Sequence, residues 1–255
     1  MNLTLQRGSV RRLTALLASV LCLAINSSAT AMTSLNKYFP SGPQAALEIA
    51  IRADNVVDMN EALRHGASAN ATGKFSITPL MVAVDAQRPH AVRALLDAGA
   101  LANAVAQDGN GPVSLAVKSY LEKPFGREIM LAVFKGGGNP DTRQPDGDPV
   151  LMRFIYDRDV ADLALMKSLG ANLDILDRGG DPVVTKLAMS QAWDMVWALI
   201  ELGAEADYEG GKSRQPLSLA LKGDTPVPGT ALYAYKAKVW HYLKDKGVAL
   251  YPLTR

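Results

Sequence analysis

The chain of 255 residues contains one cysteine, three histidines and only 6% aromatic residues. A single thiol excludes a disulfide-stapled scaffold and the Cys-rich zinc folds. His65, His90 and His241 are too dispersed for metal-ligand spacing, and no nucleophile elbow or Walker loop occurs. No apolar run reaches the ~20 residues that a membrane-spanning helix needs. Neither sign of charge dominates, with 27 Lys+Arg against 25 Asp+Glu. These absences argue against an enzyme, a cofactor, a metal centre and a nucleic-acid surface. Gly136-Gly137-Gly138 follows an apolar helical pattern instead of opening one, so it reads as a helix stop and not a phosphate loop.

The first 31 residues have a composition of their own. They carry Arg7, Arg11 and Arg12 and no acid, then a 13-residue apolar stretch from Leu13 to Ile25, then Ala29-Thr30-Ala31. Basic, apolar and small-x-small segments in that order define a secretory signal peptide, cut before Met32. Residues 1–31 are therefore expected to be removed and the protein to be periplasmic, with no stable membrane anchor. Losing three arginines leaves 24 basic against 25 acidic side chains, a net charge of −1.

The remainder repeats. Gly66, Gly99, Gly137, Gly170, Gly203 and Gly247 recur at steps of 33, 38, 33, 33 and 44 residues. A second apolar landmark falls at Leu47, Leu80, Val113, Leu151, Val184 and Leu217, and each glycine precedes the next landmark by 14 residues. Each unit reads as two short helices. Apolar residues at 0, +3 and +4 share one helix face, as in Leu80/Ala83/Val84, and the spacing returns before the glycine, as in Val92/Leu95/Leu96. Pro79, Pro112, Pro149, Pro182 and Pro216 are expected to open the first helices, with Thr78, Asp148 and Asp181 as N-caps. Glycine is expected to close the second helix in a left-handed conformation. Two insertions, one at Tyr120–Gly126 and one at Gly223–Thr230, fall between the two helices of units three and six. Trp240 falls on a core position, and the Trp193/Trp197 pair is read as packing.

These residues resemble the ankyrin-repeat family. Thr78-Pro79-Leu80 matches its T-P-L turn, and Leu95-Leu96-Asp97-Ala98-Gly99-Ala100-Leu101-Ala102-Asn103-Ala104 matches its L-L-x-x-G-A-x-x-N-A segment. The Thr slot departs from the family at Gly111, Asp148, Asp181 and Gln215. The resemblance implies an all-α solenoid of about six helix-turn-helix units joined by hairpin tips. The expected organisation is a capping segment at 32–44 and a repeat domain at 45–255. Its units lie near 45–71, 72–104, 105–142, 143–175, 176–208 and 209–255. Tyr38-Phe39-Pro40 is expected to cover the open face of unit one, and residues 247–252 to close the other end.

The resemblance also implies protein binding by the tips and the exposed side of each first helix. The candidates are Lys74, Phe75, Ile77, Asp108, Asn110, Arg143, Tyr156, Asp157, Arg178, Lys212 and Arg214, with Phe125 on the first insertion. Phe75 and Ile77 are either anchors or packing under a hairpin. The insertion is either loop growth or added contact surface. The secreted repeat pattern, Tyr38-Phe39-Pro40 and Leu232–Trp240 further resemble periplasmic ankyrin immunity proteins encoded beside type VI secretion phospholipase effectors. That resemblance implies a lipase as partner. A solenoid capped at both ends is expected to be a monomer when free. The alternative partner is another envelope or oxidative-stress protein. N-terminal sequencing of protein from the periplasm is expected to start at Met32; a mature chain that keeps Arg11 and Arg12 would contradict the export reading.

Overall fold

The computed structural model describes residues 37–157, 159–206, 217–222 and 227–250. The expected signal peptide, Lys212, Arg214, Pro216 and residues 251–252 lie outside that set. Among the described residues the regular structure is helical, with isolated antiparallel bridges at Arg143/Pro149 and Leu176/Pro182. The all-α reading therefore holds. The chain divides into two bodies, Met1–Ala100 and Leu101–Arg255.

The first body holds α1 (Gly42–Arg52), α2 (Val56–Arg64), a 3-10 turn (Lys74–Ser76), α3 (Pro79–Asp85) and α4 (Pro89–Asp97). Helix α1 packs on α2 and α3, α3 on α4, and α2 on α4, so first helices meet first helices and second meet second. Leu47, Ile51, Met59, Leu80, Val92 and Leu95 are fully buried at these contacts. Pro79 opens α3, and the Thr78 hydroxyl accepts the Met81 N–H at 3.4 Å. Helix α4 receives its cap from the preceding unit, since the Asp54 carboxylate accepts the Ala91 N–H at 2.8 Å and meets His90 Nδ1 at 2.8 Å. That carboxylate satisfies a first-turn N–H that Arg88, the residue at the cap position, leaves unserved.

The second body holds α5 (Pro112–Glu122), α6 (Gly126–Lys135), α7 (Leu151–Asp157), α8 (Val160–Ser168), α9 (Val183–Met189), α10 (Trp193–Glu201), α11 (Leu217–Ala220) and α12 (Ala231–Asp245). Pro112 opens α5 as expected. Pro149 and Pro182 do not open helices. Each sits in an antiparallel bridge one or two residues before its helix, because the hairpin strand-like pairing extends that far. Asp148 and Asp181 are correspondingly not the caps: Pro182 is the N-cap of α9, and Asp148 binds the next tip instead.

The first insertion is helix more than loop. Helix α5 runs eleven residues where α3, α7 and α9 run seven. It stops at Lys123, which is extended at φ −130° and ψ 150° because Pro124 follows. Gly126 lets α6 start hard against α5, where a Cβ would fall 1.9 Å from the Ser119 carbonyl oxygen. The added turn rests on unit four. The Tyr120 ring lies 5.5 Å from Phe154, and its hydroxyl donates to Asp162.

Trp193 is fully buried, but Trp240 is not a core residue. Lys236, Val239 and Leu243 line the packed face of α12, leaving Trp240 half-buried on its flank. Replacing the fully buried Leu95 by alanine is expected to cost ~2–5 kcal/mol in urea unfolding. A loss under about 1 kcal/mol, well below that range, would remove Leu95 from the packed face.

Candidate protein-binding face

The turn that ends each second helix sets where the next hairpin tip begins. Gly66, Gly99, Gly137, Gly170, Gly203 and Gly247 all have φ between 80° and 96°, the region that costs other residues roughly 1–2 kcal/mol. Four residues on, an Asn or Asp reaches the next unit. Asn70 Nδ2 donates to the Gly99 carbonyl at 2.8 Å in the first body. In the second, Asn103 donates to the Gly137 carbonyl and accepts the Asn139 N–H, both at 2.8 Å. Asp141 accepts the Asn172 N–H at 2.8 Å, and Asp174 the Glu205 N–H at 2.6 Å. Sequence reasoning noted Asn103 only as a family letter. The recurrence of Asn70, Asn103, Asp141 and Asp174 four residues after the glycine was the available signal.

The tips of the second body are glycine turns tied by carboxylates. Gly109, Gly147 and Gly180 occupy one slot at φ 81°, 90° and 86°. Asp108 accepts the Asn110 N–H at 3.0 Å and its side-chain amide at 2.9 Å, which holds the Asp108 carboxyl below its ordinary value. Arg143 Nη1 donates to the Gly147 carbonyl at 2.8 Å and Nη2 to the Leu176 carbonyl at 3.0 Å, so this candidate stitches two tips together. Asp148 accepts the Arg178 N–H at 2.9 Å, while the Arg178 side chain stays 64% exposed. The structure thus brings Arg143 and Arg178 to one place, with only Arg178 free to project.

Asp177 anchors the tip of unit five. It is nearly buried, accepts the Gly179 and Asp181 N–H groups at 2.7 and 2.9 Å, and faces Lys186 Nζ at 3.4 Å. Burial opposes its ionisation, but those N–H groups and the ammonium outweigh burial and hold the carboxyl below its ordinary value.

The tip of the first body is built differently. Ser76 stands in the slot filled elsewhere by glycine, at φ 60°, and Phe75 precedes it at φ 59° and ψ 24°. Both are left-handed without being glycine. Phe75 is 64% exposed and Ile77 half-buried. The Lys74 N–H donates to the Tyr38 carbonyl at 3.1 Å, and Gly73 is required because a Cβ would lie 2.8 Å from the Phe39 ring.

Behind this tip lies a group the sequence did not reveal. Glu48 is 1% exposed, and its carboxylate accepts the N–H groups of Lys37, Tyr38 and Phe39, each at 2.9 Å. Arg52 Nη2 completes it at 2.8 Å. The Tyr38-Phe39-Pro40 segment is therefore clasped at the tip edge. It does not line the open groove between α1 and α2, of about 550 Å³, walled by Pro43, Ala46, Ile49, Ala50, Asp58, Glu61, Ala62 and His65. The expectation that it covers that face is corrected: three consecutive N–H groups need an acceptor, and Glu48 supplies it elsewhere.

Phe125 is half-exposed at the N-cap of α6, at the far end of α5 from the Asp108/Asn110 tip. Eleven helical residues separate the two by about 16 Å, so they form no common cluster. Tyr156 and Asp157 end α7, with side chains outside the described set.

Comparison with known structures places this architecture. An ankyrin repeat domain from Acinetobacter baumannii AYE is similar at a TM-score of 0.59 and 18% identity, over 78% of this chain and 97% of that one. The ankyrin repeat domain of Bcl-3, a member of the IkappaB family, gives 0.57 and 18%, over 73% and 81%. The ankyrin repeat protein EF0377 gives 0.58 and 18%, over 79% and 98%. Among curated proteins, the E3 ubiquitin-protein ligase KEG of Arabidopsis thaliana is 26% identical over 219 residues, which is 82% of this chain but 12% of that protein. No protein-family model matches the chain. The fold is that of ankyrin repeats, an all-α architecture of helix pairs joined by hairpin tips.

Because the Asp177 carboxyl is lowered in the folded state, its contribution is complete above the unfolded value, about 3.9. It is lost as pH falls through the lower folded value. Wild-type stability is therefore expected to fall more steeply than that of Asp177→Asn as pH drops below about 4, as read by urea midpoints across an acid series. Parallel profiles for the two proteins would contradict this assignment.

Proposed function

We propose that the chain is a periplasmic protein-binding module that protects its own cell by blocking a type VI secretion phospholipase effector. One observation carries the binding role. Phe75 is held in a left-handed backbone conformation with its ring 64% exposed. Ring burial in its own fold does not explain that conformation, whereas an aromatic anchor presented to a partner does. The Glu48 clasp and the Gly73–Phe39 contact fix the base of this tip, so little order must be gained on binding.

The immunity role rests on the secretory leader, the repeat pattern and the Tyr38-Phe39-Pro40 and Leu232–Trp240 segments. A blocking protein needs no chemistry of its own. It must cover a catalytic mouth with a standard-size interface, ~1,600 Å² in total. Phe75, Tyr156 and the exposed Arg178 are the chosen contacts.

Co-expression with a type VI secretion phospholipase effector, directed to the periplasm, tests this. The wild-type chain is expected to rescue growth, and Phe75→Ala/Tyr156→Ala/Arg178→Ala to lose rescue with its melting temperature nearly unchanged. Glu201→Ala and Lys244→Ala are expected to retain rescue. Loss of rescue from those two, with the triple variant active, would overturn the assignment of the site.

A further inference from the structure

The last helix carries a second surface that protein binding by the tips does not use. Helix α12 has one packed line, Lys236, Val239 and Leu243. Its two flanks are aromatic: Tyr233 and Trp240 on one, Tyr235 and Tyr242 on the other, all half-buried. Exposed lysines stand over these rings. Lys238 Nζ lies 5.1 Å from the Tyr235 centroid and 5.5 Å from that of Trp197. Lys244 lies 5.0 Å from Trp240, and Lys246 5.7 Å from Tyr242. Among the described residues no carboxylate forms a salt bridge with Lys238, Lys244 or Lys246. Asp245 is the only acid between Ala231 and Lys246. The chain after residue 31 is near neutral, so this concentration of ammonium groups is local.

Half-buried Tyr and Trp rings give an apolar body with a polar edge, the chemistry of the membrane interface. Lysines beside them add attraction to anionic headgroups, with their stems along apolar surface. We propose that α12 is a peripheral docking surface for an anionic lipid bilayer. The protein then lies on the membrane without crossing it, consistent with the absence of any membrane-spanning helix among the described residues. This inference does not depend on the identity of the protein partner.

The experiment is co-sedimentation of the purified protein with vesicles of phosphatidylglycerol and phosphatidylethanolamine, against vesicles of phosphatidylcholine alone. Binding to the anionic vesicles only is expected, with release as salt rises toward about 1 M, where screening shortens to about 3 Å. Brominated phosphatidylglycerol is expected to quench tryptophan emission, and Trp240→Phe to remove most of that quenching. Each lysine near the surface contributes about fivefold, so Lys238→Gln/Lys244→Gln/Lys246→Gln is expected to weaken partitioning by on the order of 100-fold. Lys238→Glu/Lys244→Glu/Lys246→Glu is expected to weaken it further, and the Gln variant serves should the reversal destabilise the helix. Arg93→Glu/Lys135→Glu/Lys167→Glu, an equal change in net charge at exposed sites elsewhere, is expected to retain most binding. Absence of binding to anionic vesicles, equal binding to neutral ones, or equal losses in both reversal variants would overturn the proposal. An acidic protein as the true occupant would give the first of these results.

Discussion

Every unit of this chain depends on one turn that only glycine makes without strain. The six glycines that end the second helices share a φ of 80–96°. Around five of them, at Gly66, Gly99, Gly137, Gly203 and Gly247, a Cβ would meet either nothing or only the end of a lysine side chain. The requirement there is conformational and not a matter of space. The turn aims the chain so that the residue four places on reaches the following unit. Apolar burial supplies most of the stability of such repeats, but it slides easily. The directional hydrogen bonds from Asn70, Asn103, Asp141 and Asp174 fix register.

With register fixed, the tips become places where side chains can be chosen for a partner. The chain uses two solutions. In the second body, glycine takes the left-handed slot and aspartate carboxylates close the turn, so strain is low and most of the charge is internal. Arg143 and Asp177 belong to that internal use, bound to neighbouring tips and to their own backbone. In the first body, Phe75 and Ser76 occupy left-handed backbone with no glycine. That arrangement persists because Gly73, Phe39 and the Glu48 clasp over-determine it.

The fold was legible because its signals are single residues at a fixed period. Glycine and apolar landmarks need no distant partner to be recognised, and the prolines correctly opened α3 and α5. They failed at α7 and α9 because a bridge across the hairpin, Arg143 to Pro149 and Leu176 to Pro182, moves the helix start inward. Nothing in the letters of Tyr120–Gly126 separates helix from loop, yet Tyr120–Glu122 and Gly126 are helical, with the Tyr120 ring packed against Phe154. Glu48 was illegible for another reason. A carboxylate beside a landmark looks like a surface residue until three N–H groups nine to eleven positions upstream fold back on it. Of the candidate site, Phe75 was correctly singled out as apolar and exposed, but its backbone conformation could not be read from the letters.

The choice between Asn and Asp at the inter-unit position has its own consequence. Asn103 has both a donor and an acceptor and uses both, on the Gly137 carbonyl and the Asn139 N–H. A carboxylate can only accept, so Asp141 and Asp174 bind the next unit's N–H and cannot reach its glycine carbonyl as a donor. The bond they keep is charge-assisted and therefore stronger than its neutral counterpart. Asp141 and Asp174 thus replace two neutral hydrogen bonds by one charge-assisted hydrogen bond. The same substitution adds negative charge beside tips that already carry Asp146, Asp148, Asp177 and Asp181. Arg143, Arg178 and Lys186 lie among these acids and bind them or the adjoining backbone. Most of the charge in these units is thus committed to holding the tips in place, and among these groups the largely exposed Arg178 is the one that also projects from its tip.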